Sequence, residues 1–267
     1  MNLKNLTNKL RYSIIKMSNS TNSPHLGSSL SCIDIVTTLY ECVLKIDPKN
    51  SKWDQRDRFI LSKGHAASSL YVALEYKKII SKKDLESYTK KNSLLEEHPS
   101  PKLNGVEAAT GSLGHGLSIG CGMALSAKIK KKNFMTYVLM SDGECNEGSV
   151  WEAALFAPAK KLNKLCALVD YNKWQATGKS VDILELGSLK KKFKNFGWNV
   201  VEIDGHNHDE IYNACISAKN ETKKPTMIIA NTIKGKGISF MENDNNWHYR
   251  IPTNDEVLMA KKELKIK

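Results

Sequence analysis

The amino-acid sequence predicts an α/β fold, a parallel β-sheet flanked by helices on both faces. Three observations carry that expectation. Short, continuous apolar runs bounded by polar residues recur through the second half of the chain, as buried parallel strands require. Stretches with apolar residues at helical spacing separate them. Strands that alternate with helices in this way assemble a parallel sheet covered on both sides, because every crossover helix buries its apolar stripe against the sheet.

The elements follow in chain order. After an N-terminal helix, Ser31 to Leu44 places Ile33, Val36, Tyr40 and Val43 on one helical face. Arg58 to Leu61 reads as a short strand, then Ser62-Lys63-Gly64-His65 leads into a helix from Ala66 to about Lys78. Glu96 to Gly122 is rich in Pro and Gly and reads as loop, opening a helix near Gly116 that runs to about Lys131. Phe134 to Met140 is a buried strand, followed by a helix from Gly148 to Lys161 and a strand from Leu165 to Val169. A polar loop, Asp170 to Leu186, precedes a helix near Ser188–Phe196. Strand Asn199 to Ile203, a helix marked by Ile211, Ala214, Cys215 and Ala218, and strand Thr226 to Ala230 complete the sheet. A charged helix from Asn254 to Lys267 ends the chain.

Composition narrows the function classes. At 267 residues the chain is long enough for a sizeable core, and 41% hydrophobic content supplies it. The net charge of +12 comes from lysines spread along the chain, with short runs at Lys130–Lys132 and Lys190–Lys192 that read as solvated faces. No Arg-rich tract and no basic-aromatic interleaving is present, so no nucleic acid partner is expected. A basic surface does draw in phosphorylated substrates. No stretch reaches the ~18 uninterrupted apolar residues of a membrane span, and Met1 to Lys16 lacks the apolar core of a signal peptide. The six cysteines include no C-x-x-C pair and no zinc spacing. They fit small buried hydrophobes in a reducing cytoplasm.

In a parallel sheet of this kind, ligands bind beyond the carboxyl ends of the strands. Two such ends stand out. Phe134–Met140 runs into Ser141-Asp142-Gly143-Glu144, and the next strand runs into Asp170-Tyr171-Asn172-Lys173-Trp174. Neighbouring strand ends are about 5 Å apart, so Asp142 and Asn172 are expected to face one ion. Both offer oxygen, which suits a hard cation such as Mg²⁺. One carboxylate and one amide cannot fill six positions; phosphate oxygens, water and a backbone carbonyl would complete the set. Gly143 lets the backbone approach a phosphate closely. Asp-Gly alone is a common turn; the pair at consecutive strand ends is what carries the reading.

These residues resemble the G-D-G…N motif of thiamine-diphosphate enzymes, and the text S-D-G-E-C-N-E-G-S-V-W-E-A at 141–153 is similar to the transketolase form of it. Four further stretches agree in order and spacing: His25-Leu26-Gly27-Ser28, Ser62 to His65, Gly111-Ser112-Leu113-Gly114-His115-Gly116, and Thr232 to Gly237 with Trp247-His248. The resemblance covers residues 8 to 252. It departs at Ser141, where the family usually has Gly, and at His115, where Gln is commoner.

The resemblance implies roles. Asp142, Asn172 and the Trp174 carbonyl would hold Mg²⁺, with Ca²⁺ or Mn²⁺ as substitutes. Gly143, Lys63, His65, Lys234 and His248 would surround the diphosphate of thiamine diphosphate. Ser28 and the loop of Gly111, Ser112 and Leu113 would contact the cofactor near its thiazolium end. His25, His65, His98 and His248 would line the substrate channel, where imidazoles suit proton transfer and hydrogen bonds to sugar hydroxyls. Glu147, counted with the cofactor-binding residues, would sit at a subunit interface and help couple the sites. His206 and His208 stay outside this set, as a turn and a helix N-terminus. The expected activity is transfer of a two-carbon ketol unit between sugar phosphates, in pentose-phosphate metabolism or in a dedicated sugar pathway. Family members are more than twice this length, and nothing here supplies the pyrimidine-side domain. The chain from Met1 to Lys267 is therefore expected to be an intact diphosphate-side domain that needs a separate C-terminal transketolase subunit, in a heterotetramer. Three alternatives remain: a subunit of another thiamine-diphosphate synthase, an NADP-dependent oxidoreductase, and a non-catalytic cationic binding module. The pattern G-x-G-x-x-x-G at 114–120 favours NADP, but a dinucleotide fingerprint must follow a buried strand. Leu103 to Thr110, with Asn104, Gly105 and Glu107, makes a poor one.

Overall fold

The computed structural model describes residues 2–266. Five strands form one wholly parallel sheet: β1 (Arg58–Leu61), β2 (Thr136–Ser141), β3 (Leu165–Tyr171), β4 (Asn199–Asp204) and β5 (Thr226–Asn231). Their order across the sheet is β1-β2-β3-β5-β4. The helices are α1 (Leu3–Thr21), α2 (Leu26–Thr38), α3 (Ala67–Tyr76), α4 (Lys82–Leu85), α5 (Gly116–Ile129), α6 (Gly148–Ala159), α7 (Ser180–Ile183), α8 (Leu189–Asn195), α9 (His208–Asn220) and α10 (Asn254–Glu263).

Alternation along each strand sends side chains to opposite faces. From β2, Tyr137 and Leu139 join one apolar cluster while Val138 and Met140 join the other. From β3, Cys166 and Leu168 go with the first, and Leu165, Ala167 and Val169 with the second. Helices α1, α2, α3, α9 and α10 cover the first face, and α5, α6 and α8 the second. Among the described residues no helix is long and apolar enough to cross a membrane. The six cysteines are free, and all but Cys42 are buried.

Helix α1 shows how sequence sets an element. Leu6, Leu10, Ile14 and Met17 recur at helical spacing and are buried. The Asn2 side chain accepts the Lys4 N–H at the start, and Asn22 closes the end in the left-handed conformation. Helix α2 is buried on every side, which places it at the centre of its layer.

Several boundaries differ from expectation; β2, for one, begins at Thr136 rather than Phe134 and runs on to Ser141. Helix α2 begins at Leu26, five residues earlier than its apolar periodicity, because His25 in the left-handed region (φ 67°) starts it. Its continuation, Leu39–Val43, widens to π-helical hydrogen bonding. Strand β3 runs on through Asp170 and Tyr171, and the expected loop after it contains the single turn α7 and an antiparallel bridge between Trp174 and Lys179. The last helix stops at Glu263, and the final residue of its expected span, Lys267, lies outside the described residues, as does Met1.

Close packing of α5 on the sheet depends on Gly120, where a Cβ would lie 2.5 Å from Val138 Cγ2. Leaving glycine gains at most about 1 kcal/mol of helix propensity, whereas overpacking costs about 1–3 kcal/mol. Gly120→Val is expected to lower the stability of the chain by about 1–3 kcal/mol in urea unfolding. An unchanged or raised midpoint would contradict this packing.

Candidate functional site

The site lies at the carboxyl edge of the sheet, where β1, β2, β3 and β5 release their chains. At its floor is Asp170, fully buried near the end of β3. Its carboxylate accepts hydrogen bonds from the Lys63 ammonium, Ser31 Oγ (2.6 Å), Thr232 Oγ1 and Asn172 Nδ2 (3.4 Å). Lys63 is equally buried and also donates to the Ser28 carbonyl at 3.0 Å. Burial pushes the Lys63 ammonium down, but the Asp170 charge and hydrogen bond, with Cys32 and Asp142, together outweigh this and hold it above its ordinary value. The pair thus joins α2, β1, β3 and β5 by charge-assisted bonds.

Next to this floor stand Asp142 and Asn172. They follow paired strand ends, since Ser141 pairs with Asp170 in register. Asn172 Nδ2 is held by Ser31 Oγ (3.3 Å) and Asp170, so Oδ1 points the other way, where it accepts the Trp174 N–H at 3.0 Å. Lys173, at φ 71°, turns the chain sharply between them. Asp142 Oδ2 accepts from Ser180 Oγ at 2.6 Å. Its Oδ1 is buried and has no hydrogen-bond partner among the described residues. Burial pushes the Asp142 carboxyl up to about 6. A buried carboxylate oxygen with no donor is short of positive charge, and a hard cation supplies it. No three His, Cys, Asp or Glu side chains among the described residues gather as a metal cage. Asp142 Oδ1 and Asn172 Oδ1 are oxygen donors of the kind that fit a hard cation. Gly143 has no room for a side chain: a Cβ would lie 2.8 Å from Gln175 Cγ.

Lys234 links this pocket to the histidines. Its ammonium reaches Asn245 Oδ1 at 2.5 Å, the Gln175 carbonyl at 3.5 Å and His248 Nδ1 at 3.3 Å. Burial and the nearby Lys63 lower it to about 8. The close approach of α2 follows from Gly27, whose added Cβ would touch Lys234 and the Trp247 carbonyl.

Four histidines form one cluster. The His25 ring centroid lies 5.0 Å from His248, 5.6 Å from His65 and 6.2 Å from His98. His25 N donates to the His248 carbonyl at 2.7 Å, which fixes its left-handed backbone, a strain of about 1–3 kcal/mol. His98 packs on Gly111, where a Cβ would collide with its ring, and its carbonyl faces the Tyr71 hydroxyl. Burial, with Lys63 and the other histidines, holds the His65 imidazole well below its ordinary range. Burial, then His98 and Lys234, lowers His25 to about 4; burial, then Lys234 and His25, lowers His248 to about 3. These imidazoles are neutral at physiological pH and available as acceptors.

The remaining expected residues are placed less uniformly. Ser28 is buried and Leu113 half-buried, while Ser112 and Glu147 are exposed. Glu147 begins α6 and rests against Gly114. His206 and His208 are outside the cluster, in the turn after β4 and at the start of α9.

Residues 3–267 match the family described as transketolase, thiamine diphosphate binding domain. The chain belongs to the transketolase family. It is 39% identical over 256 residues to an apulose-4-phosphate transketolase subunit of Phocaeicola vulgatus, covering 96% of this chain and 91% of that one. It is 43% identical over 219 residues to the 6-deoxy-6-sulfo-D-fructose transketolase subunit SqwG of Clostridium sp., covering 82% and 80%. The crystal structure of transketolase from Campylobacter jejuni superposes with a TM-score of 0.94 at 33% identity, over 99% of this chain and 43% of that chain. The chain thus spans most of the separate subunits and less than half of the long transketolase.

Two members of this transketolase site escape a reading of the sequence. Asp170 reads as the polar end of an apolar strand, and only its position two residues before Asn172 hints at more. Glu144 lies inside the resembling motif, yet nothing local assigns it a role. It is fully buried and accepts from Ser62 Oγ, Gly114 N (2.9 Å) and Ser141 N (3.3 Å), tying three site loops together. Burial raises its carboxyl.

The histidine cluster predicts a titration. By NMR, the His25 and His248 imidazoles are expected to titrate near pH 4 and 3 rather than near 6.5. Their folded-state values lie below the unfolded one, so as pH falls the unfolded chain binds protons first. Their contribution to stability is present above about pH 6.5 and is lost toward pH 4. Midpoints near 6.5 for both rings would contradict the packing.

Proposed function

We propose that this chain is the diphosphate-side half of a transketolase, transferring a two-carbon ketol unit from a ketose to an aldose acceptor together with a pyrimidine-side partner subunit. The carrying observation is the unpartnered, buried Asp142 Oδ1 beside Asn172, with Lys234 near it and in contact with His248 of the histidine cluster. Asp142, Asn172 and the Trp174 carbonyl would hold Mg²⁺, and Gly143 and Lys234 would take the diphosphate. Lys63 would act on it from below, its charge shared with Asp170. Thiamine diphosphate supplies the carbon nucleophile and the electron sink.

The chain's own residues do the rest. Neutral imidazoles of His25, His65 and His248 accept protons from sugar hydroxyls and donate them back. His98, packed on Gly111, orients the substrate. Burial keeps His25, His65 and His248 uncharged, so they do not compete with the cation and Lys234 for the phosphates. The relatives named for apulose 4-phosphate and 6-deoxy-6-sulfo-D-fructose support an anionic ketose as donor, which suits a chain of net charge +12. Both relatives are named as subunits, which supports a partner, and we read the assembly as two copies of each chain. Reduced cysteines support the cytoplasm as its compartment.

Three outcomes test this reading. Asp142→Ala is expected to weaken Mg²⁺-dependent thiamine diphosphate binding about 100-fold or more in calorimetry, with the circular dichroism of the fold retained; unchanged affinity would remove Asp142 from the metal site. In the assembled enzyme, His25→Ala is expected to lower turnover about 100-fold while cofactor affinity barely moves. The purified chain should show negligible ketol transfer until the partner subunit is added. Substantial transfer by this chain alone at catalytic concentration would overturn the half-enzyme reading.

A further inference from the structure

Away from the histidine cluster, a second group of buried charges lies beneath the segment that carries Lys234. Asp34, on α2, is 5% exposed. Its Oδ2 accepts from Arg11 NH2 at 2.5 Å and faces His206 Nδ1 at 2.8 Å. Burial pushes the Asp34 carboxyl up, but Arg11 and the His206 hydrogen bond outweigh it and hold it below its ordinary value. Around this line, His208 Nδ1 bonds Thr38 Oγ1 at 2.8 Å, so α9 is fastened to α2 as well.

The far side of His206 settles what the group does. Ile233 N donates to His206 Nε2 at 2.9 Å. That nitrogen is therefore unprotonated, and in the neutral ring the proton sits on Nδ1, directed at Asp34. At the other end of the same segment, Gly237 lies against the Arg11 side chain, where a Cβ would come within 2.8 Å of Arg11 Cδ. Arg11 and His206 thus touch the backbone at Gly237 and Ile233, on either side of Lys234, and Asp34 joins them. Gly205 makes the approach feasible: a Cβ there would lie 2.4 Å from Thr232 Cγ2.

We infer that Arg11, Asp34 and His206 form a clamp that sets the backbone of residues 233–237 and thereby aims Lys234 into the diphosphate pocket, with His206 as its positioning residue. The inference rests on the proposed role of Lys234. A lysine stem is flexible, and its ammonium meets Asn245, Gln175 and His248 together only if its Cα is held. The chain segment after β5 has left the sheet ladder; Gly235 N donates to the Gly27 carbonyl at 3.0 Å and Asn243 N to the Lys234 carbonyl at 2.9 Å, and the clamp adds side-chain anchoring at its two ends, Ile233 and Gly237.

The test titrates thiamine diphosphate with Mg²⁺ into this chain assembled with its pyrimidine-side partner. Wild type, His206→Phe, Lys234→Met and the double variant form a double-mutant cycle, with thermal unfolding alongside. His206→Phe is expected to weaken the cofactor about tenfold; in the Lys234→Met background the same change should have little further effect. His206→Gln, which keeps an acceptor for Ile233, should recover part of the loss and carries the test if His206→Phe does not fold. Equal affinity of wild type and His206 variants, or full additivity with Lys234→Met, overturns the clamp. Absence of cofactor binding by the wild-type assembly would instead sink the functional reading on which it rests.

Discussion

The buried Lys63–Asp170 pair is the contact around which the site is organised. Both groups are fully enclosed, so each requires the other: removing one partner of a buried pair leaves an uncompensated charge, at about 3–5 kcal/mol. The same Asp170 carboxylate also takes Ser31, Thr232 and Asn172. A single carboxylate therefore fixes the start of α2 and the ends of β1, β3 and β5 relative to one another. It also decides which way the Asn172 amide turns, since Nδ2 is claimed by Ser31 and Asp170 and only Oδ1 is left for the pocket. The open side of Asn172 thus inherits its orientation from a carboxylate that lies beneath the pocket.

Two electrostatic regimes then sit side by side. On one side, the buried Asp142 carboxylate is only half satisfied and calls for positive charge. On the histidine side, burial and the two lysines keep imidazoles neutral. Lys234 lies between them: it meets His248 Nδ1 on one side and feels the charges of Asp142 and Asp170 on the other. The separation matters because a cationic histidine cluster would compete with a divalent ion for the same phosphates. Family membership and the fold agree with this arrangement: helices on both faces leave only the carboxyl edge of the sheet open for a ligand.

Much of this is legible in the sequence, for reasons that differ from element to element. Strand β1 reads correctly to the residue because its apolar run and its hydrogen-bonded span coincide. Strand β3 reads short because a carboxylate ends an apolar pattern, whereas in the fold Asp170 stays in the ladder once Lys63 neutralises it. Helix α2 reads late because its first turn, Leu26 to Ser29, is buried on all sides and shows no period. Asp142 and Asn172 can be paired since adjacent parallel strands bring their ends together by geometry alone. Glu144 cannot, because its donors come from Ser62 and Gly114, separated from it by 82 and 30 positions. His206 is correctly placed in a turn, but its partner Asp34 lies 172 positions away, a distance that no local pattern reports.

That long reach has a consequence in time. Lys63 and Asp170 are 107 residues apart in the chain. At a synthesis rate of about 5–20 residues per second, the nascent chain carries Lys63 for roughly 5–20 s before its counter-charge emerges. During that interval β1 and α2 have no carboxylate to close on, and the ammonium stays in water. The carboxyl edge of the sheet is thus assembled only after β3 has left the ribosome, and the first half of the chain waits, incompletely packed, for the second.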